Sequence, residues 1–550
     1  MYKFDFLQLL NEKLEGKSAD EMQSLLIRLG KELPSEFYET VLSLFELEKK
    51  RVQLNDMKTE KLLIKLKELR QKIQNGDYPL YLEYYEDDED YYDYYSPYEV
   101  QGVELVDENG LFGKLSSLLE KIMEVANTEE YAFAYKLFNE FFAISMETDL
   151  GTLTISDLFD RDVFNSSLRD TLLLYAYCAI HSKVGNDRVR SLYEILQSYG
   201  IERFNLEELL KQGMDALADE KTFLSRWTDY LKKSVAKEDG FRDALLIDVL
   251  TYSGGVVALR EFAHENGLNY PEVVFHLLDL NVRVKGKLDD ALFIIHKNLE
   301  KTSGINKDRV RLADYLIKIA KKTGNKEDYE KGYVEGFYSS LDLKYYIEIY
   351  SWKKSEIIQA ALKYLEENKS QATEFDYYCI AFLNGEYEKV WLRCKKDSGS
   401  LGWSSHAYYG DAPSLKGRMM PLFLALLNKN GIGKITVRLL REMAEFDGST
   451  KILTVLSASI GKLPEEKYVA YMEWCQKEIK ARMDAIVGGK KRSSYDKASV
   501  LIVAMGELII LNEGKYAGLD YIRQMKSEYP RHSSFQRCVK DDLAFIGQSL

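Results

Sequence analysis

The stretch Gly431-Ile-Gly433-Lys434-Ile-Thr436 comes closest in this chain to a phosphate-binding loop, in which backbone N–H groups cradle phosphates and a lysine reaches over them. Such a loop needs glycine, four residues, then Gly-Lys-Ser/Thr. Asn428 stands where the first glycine belongs and Ile435 follows the lysine, so the stretch reads as a turn between helices. Histidine chemistry is equally incomplete. His264-Glu265 lacks the second histidine that a zinc-protease helix places four residues on, because position 268 is Leu. Glu272 and His276 lie one helical turn apart without a third ligand, and His181, His276 and His296 all neighbour apolar residues, as core or groove histidines do. Cys178 and His181, three residues apart in LLLYAYCAIH, have the types for thiol catalysis but the setting of helix packing. The other cysteines, Cys379, Cys394, Cys475 and Cys538, are scattered and give neither a disulfide framework nor a metal knuckle. The residue types therefore indicate no enzyme, no metal and no cofactor.

Two other segments carry binding chemistry. In Tyr78–Val100, YPLYLEYYEDDEDYYDYYSPYEV, nine tyrosines accompany eight acids and two prolines with no helical period. This is a loop or an extended arm. Its plainest reading is a solvated linker, but tyrosines bring large amphipathic surface at low entropy cost, so Tyr84, Tyr85, Asp87, Asp88, Tyr91, Tyr92, Tyr94 and Tyr95 are candidate contact residues. The second segment, Lys395–Arg418, holds four glycines, five serines and a proline, and offers Trp403, Tyr408 and Tyr409 as aromatic contacts. It reads as a tolerated insertion or as a docking or cleavage loop, since a Gly-Ser backbone extends at little cost.

The elements that must position these segments are helices. Only eight prolines occur in 550 residues, and 46% of the residues are hydrophobic, so long stretches are free of helix breakers and apolar enough to fold. Val500–Met505, the best strand candidate, fits better inside a buried helix. Residues 1–75 read as three helices, the last from about Phe45 to Ile73 with Leu62, Leu66, Leu69 and Ile73 on one stripe and a strongly basic remainder. That helix is a natural dock for the acidic arm. Net charge is −13, yet twelve Asp and Glu fall between Lys72 and Lys114 with no Lys or Arg among them, so the rest of the chain is nearly balanced. The net charge argues against nucleic acid, whose phosphates call for clustered Lys and Arg, and nowhere do the roughly eighteen apolar residues of a membrane span run together. The expected address is the cytoplasm.

Several helix pairs share a signature at their turn. Gly324-Asn-Lys-Glu-Asp-Tyr329, Gly385-Glu-Tyr387 and Gly514-Lys-Tyr516 each place an aromatic two to five residues after a glycine, and the last runs on to Tyr529-Pro530. Glu129-Glu-Tyr131 begins a similar stretch without the glycine. In this they resemble the second half of a tetratricopeptide-type hairpin, although the glycines lie 61 and then 129 residues apart and keep no constant repeat. The resemblance implies an all-α irregular α-solenoid of tetratricopeptide- and HEAT-like hairpins. Its expected regions are an N-terminal helical region at 1–75, the acidic arm at 76–110, a central helical-repeat region at 111–394, the Gly/Ser loop at 395–418 and a C-terminal helical region at 419–550. Such an array binds proteins, so the expected function is a non-catalytic adaptor with a protein or peptide partner and neither membrane nor nucleic acid. In length, helical content and possession of one long loop the chain also resembles the helical substrate of the CRISPR-guided caspase-like peptidase. That resemblance implies an alternative, an effector held latent until loop 395–418 is cut or displaced. A third reading, an enzyme with an unfamiliar site, ranks last.

Overall fold

The computed structural model describes residues 56–86, 101–148, 151–200, 204–211, 217–234, 240–284, 287–403, 413–443, 449–457 and 463–550. Among them 24 α-helices dominate, and the protein is all-α apart from two short hairpins. The chain divides into two compact units, residues 1–277 and 278–550.

The helices expected before position 56 lie outside the described residues, and the first described helix is α1 (Asp56–Gln74), of which Leu66, Leu69 and Ile73 are buried as the apolar stripe requires. Among the described residues its basic face meets Glu140, at 3.2 Å from Arg70 and 3.9 Å from Lys67. Strands β1 (Tyr81–Glu86) and β2 (Gln101–Val106) then pair antiparallel, Tyr81 opposite Val106 and Glu86 opposite Gln101. The acidic arm is thus entered and left through a β-ladder, which tyrosine-rich sequence favours. Helices α2 (Leu111–Asn127) and α3 (Tyr131–Phe142) lead to a second hairpin, β3 (Ser145–Thr148) with β4 (Gly151–Thr154), and to the single turn α4 (Ile155–Phe159). After these come α5 (Leu168–Ser182), α6 (Gly185–Tyr199), α7 (Leu206–Leu210), α8 (Glu220–Lys233) and α9 (Phe241–Asn266), which breaks at Gly255 where φ is 59°. α10 (Pro271–Arg283) carries the boundary between the units. The core of this unit is aromatic around Tyr175, which stacks on Phe142 at 5.4 Å and donates its hydroxyl to Asn139.

The second unit continues with α11 (Leu288–Lys301), α12 (Lys307–Thr323), α13 (Lys326–Ser340), α14 (Leu343–Ser351), α15 (Ser355–Glu367), α16 (Glu374–Leu383) and α17 (Tyr387–Lys396). It closes with α18 (Leu415–Leu426), α19 (Lys434–Met443), α20 (Ser449–Ser457), α21 (Glu465–Met483), α22 (Tyr495–Glu513), α23 (Lys515–Ser527) and α24 (Ser533–Phe545). Gly324, Gly385 and Gly514, the glycines of the repeated signature, all sit at positive φ between paired helices, where a side chain would strain the turn. The helix pairs are tight. A Cβ on Gly518 of α23 would lie 2.4 Å from the Gly506 carbonyl oxygen of α22, so neither helix has room for a side chain there. Val500–Met505 is buried throughout and helical.

Helix ends are joined across the chain by side chains. An α-helix leaves its first N–H groups without internal partners, and here carboxylates from other helices accept them. Asp248 takes Leu206 N at 2.7 Å, Asp243 takes Glu272 N at 3.1 Å, and Asp376 takes Leu343 N at 3.2 Å. Glu507 takes two, Lys434 N and Ile435 N, both at 2.8 Å. At the other pole, buried Arg188 donates to Lys183 O and buried Arg309 to Leu299 O, closing the carbonyl ends of α5 and α11.

Burial pushes the Glu507 carboxyl above its usual range, against the two N–H groups that hold it down. A folded pKa above the unfolded one means that the folded state binds the proton more tightly, so this group adds stability as pH falls toward the ordinary glutamate range near about 4.3. Glu507→Gln cannot titrate. Urea unfolding followed by tryptophan fluorescence, which reports mainly the second unit because four of the five tryptophans lie there, should show the parent gaining on Glu507→Gln between pH 7 and 5. The reverse trend contradicts the assignment.

Candidate functional site: a walled cavity in the first unit

The residues singled out in sequence fall in different places. Tyr84 and Tyr85 belong to β1, opposite Val103 and Gly102. Asp87, Asp88, Tyr91, Tyr92, Tyr94 and Tyr95 lie outside the described residues, as do Tyr408 and Tyr409. Trp403 is described and is only 6% exposed. Its indole Nε1 donates to Glu442 at 2.8 Å, and its ring belongs to the same core as Leu401, Leu415 and Met419.

Both shoulders of the loop are fastened. Asp397 accepts from Gly399 N at 2.8 Å and from Lys416 N at 2.9 Å, bridging the two sides of the loop at the start of α18. Burial opposes ionisation of Asp397, but these N–H groups with Lys416 and Arg393 hold its carboxyl below the usual range. Gly417 lies flat on Gly402, where an added Cβ would meet the carbonyl oxygen at 2.2 Å. The helices also reach further into the segment than the composition suggests, since α18 begins at Leu415.

The phosphate-loop-like turn precedes α19, and the N–H groups there are held by Glu507. A Cβ on Gly433 would touch that carboxylate at 2.4 Å, so the glycine makes room for an internal anion. Cys178 is fully buried and burial pushes its thiol up to about 12, while His181 packs on Tyr177 and Tyr131 at 4.3 and 5.1 Å. His296 lies with Nε2 3.0 Å from Asp328 and Nδ1 3.1 Å from Lys331. That set contains no hydroxyl or thiol, and it ties α11 to α13. Among the described residues no three His, Cys, Asp or Glu side chains are placed to hold a metal ion, and no helix is long and apolar enough to cross a membrane.

Cavities of about 580 to 660 Å³ occur in both units, and the one in the first unit is lined by none of the arm or loop residues singled out in sequence. A cavity of about 630 Å³ opens in the first unit among α5 to α10. Leu192, Leu196, Phe204, Trp227 and Leu245 form its apolar wall, and Arg169, Glu208, Asp248, Thr251 and His276 bring polar atoms to it. The short α7 builds one side. Asn205 caps it by accepting Glu208 N, and Glu208 returns a bond to Asn205 N, which makes a capping box. Asp248 of α9 holds the same helix by Leu206 N. Arg169 is engaged by Glu208 at 2.6 Å and Asp170 at 3.6 Å. Burial, with Glu208 and Glu207 nearby, pushes the Asp248 carboxyl above the ordinary aspartate range. Only His276 of this set stood out in sequence. Asp248 and Trp227 are spaced as ordinary amphipathic-helix residues, and nothing local marks them.

Truncating a buried tryptophan costs about 3–5 kcal/mol. Trp403→Ala should therefore lower the stability of the second unit by that order in urea unfolding, whereas a change below about 1 kcal/mol would return Trp403 to the role of a presented contact. No known protein family matches the chain, and no curated protein or solved structure is similar to it.

Proposed function

We propose that this chain is a non-catalytic helical adaptor that takes a peptide segment of a partner protein into the cavity between α5 and α10. The observation that carries this reading is the lining of the cavity, apolar side chains from several helices with Arg169, Glu208, Asp248 and His276 among them, around a volume of about 630 Å³. Apolar walls with a few converging polar atoms suit a segment that buries side chains and fixes its register by hydrogen bonds. A solenoid-like stacking of the helical hairpins fits the same role, because repeat arrays present extended concave surfaces.

The cleavable-effector alternative, which the resemblance to the CRISPR peptidase substrate suggests, requires a cut in loop 395–418 to release one fragment from the other. Leu401 and Trp403 before the undescribed stretch and Leu415 after it share one core, which favours fragments that stay together after a cut.

Panning a randomised dodecapeptide display library against the full chain tests the adaptor reading. Thr251 is exposed at the cavity, so Thr251→Trp fills the space without touching the core. A consensus that enriches on the parent chain and disappears on Thr251→Trp is the expected result. No enrichment, or enrichment indifferent to Thr251→Trp, would overturn the reading.

A further inference from the structure

We infer that the occupant of this cavity is a segment bearing a lysine or arginine, whose aliphatic stem lies on the apolar wall and whose cationic head meets Asp248. The inference rests on the peptide-binding reading and names the chemistry of its ligand. Four observations lead to it.

Asp248 is half-buried and lines the cavity. One of its oxygens, Oδ2, accepts Leu206 N at 2.7 Å, and among the described residues no cation forms an ion pair with the carboxylate. Its other oxygen takes no hydrogen bond among the described residues. Secondly, the cation that lines the same space is committed elsewhere, because Arg169 holds Glu208 and Asp170. Glu208 already holds a cation, its two oxygens accepting Arg169 and the Asn205 N–H. Among the described residues Asp248 is thus the carboxylate of this cavity that no cation holds.

Thirdly, the surrounding charge is acidic. Glu207 and Glu208 both act on Asp248 in the direction that disfavours its charge, and a cation arriving beside it relieves that repulsion. A carboxylate on a ligand would meet like charge, and a neutral amide would leave it unrelieved. Fourthly, Leu192, Leu196, Trp227 and Leu245, themselves buried, line the cavity together with this acid. Lysine and arginine match that pairing of surfaces, with a hydrocarbon stem ending in donors. The cavity exceeds what one side chain fills, so neighbouring residues of the segment enter with it.

The test uses the consensus peptide recovered from the dodecapeptide library, synthesised with a fluorescent label, and a second peptide with its basic residue replaced by norleucine. Binding is titrated against the parent chain and Asp248→Asn. The asparagine keeps an oxygen for Leu206 N, so α7 remains capped, and an unchanged melting temperature confirms it. We expect the basic peptide to bind the parent about tenfold more tightly than the norleucine peptide, with most of that gap lost on Asp248→Asn. A Thr251→Trp-sensitive consensus without a basic position, or equal binding by Asp248→Asn, overturns the charge assignment and leaves the adaptor reading standing. Absence of any cavity-dependent consensus overturns both.

Discussion

A helix that begins inside a folded body carries N–H groups that neither its own turns nor water can satisfy, and each one buried without a partner costs about 1–3 kcal/mol. Several helices of this protein are capped by the residue just before them, as Asn205 caps α7, but at some starts the partner comes from far along the chain. Asp248 reaches back 42 residues to Leu206, Asp376 reaches 33 to Leu343, and Glu507 reaches more than 70 to the start of α19. The negative charge also matches the positive pole of the helix it meets, while Arg188 and Arg309 serve the opposite poles. Apolar packing alone lets helices slide along one another. A carboxylate on two N–H groups does not, because a shift of one residue breaks both bonds and strands the charge.

The same constraint shapes the candidate site. Two residues' worth of helix more or less in α7 would move Leu206 and Leu209 off the wall of the cavity, and a five-residue helix has little packing of its own to prevent this. Its position is set by the Asn205–Glu208 capping box on one side and by Asp248 on the other. Asp248 is therefore divided between structure and the cavity.

Much of the framework was legible in sequence, because it rests on local rules. The stripe of Leu66, Leu69 and Ile73, the burial of Val500–Met505 and the turns at Gly324, Gly385 and Gly514 follow from periodicity and from glycine's tolerance of positive φ. The β1–β2 ladder was missed, since the acids of the arm obscured the strand propensity of its tyrosines. Trp403 misleads in a different way. Its Gly-Ser neighbours announce an open loop, but Gly402 and Gly417 are small so that backbones can touch, and that closeness draws the indole into the core. The cavity left no local signal at all. Arg169, Trp227, Asp248 and His276 come from four helices, and no pattern within any one of them encodes the convergence.

Amide hydrogen exchange at single-residue resolution tests remote capping most directly. First-turn amides ordinarily exchange quickly because they lack partners inside the helix. The amides of Leu206, Leu343, Lys434 and Ile435 should be protected well beyond those of Glu388 and Lys389, which open α17 where no side chain caps the helix. Asp248→Ala should release Leu206 alone. Equal exchange in the two sets would show that the carboxylates do not hold these helix starts and would contradict the account.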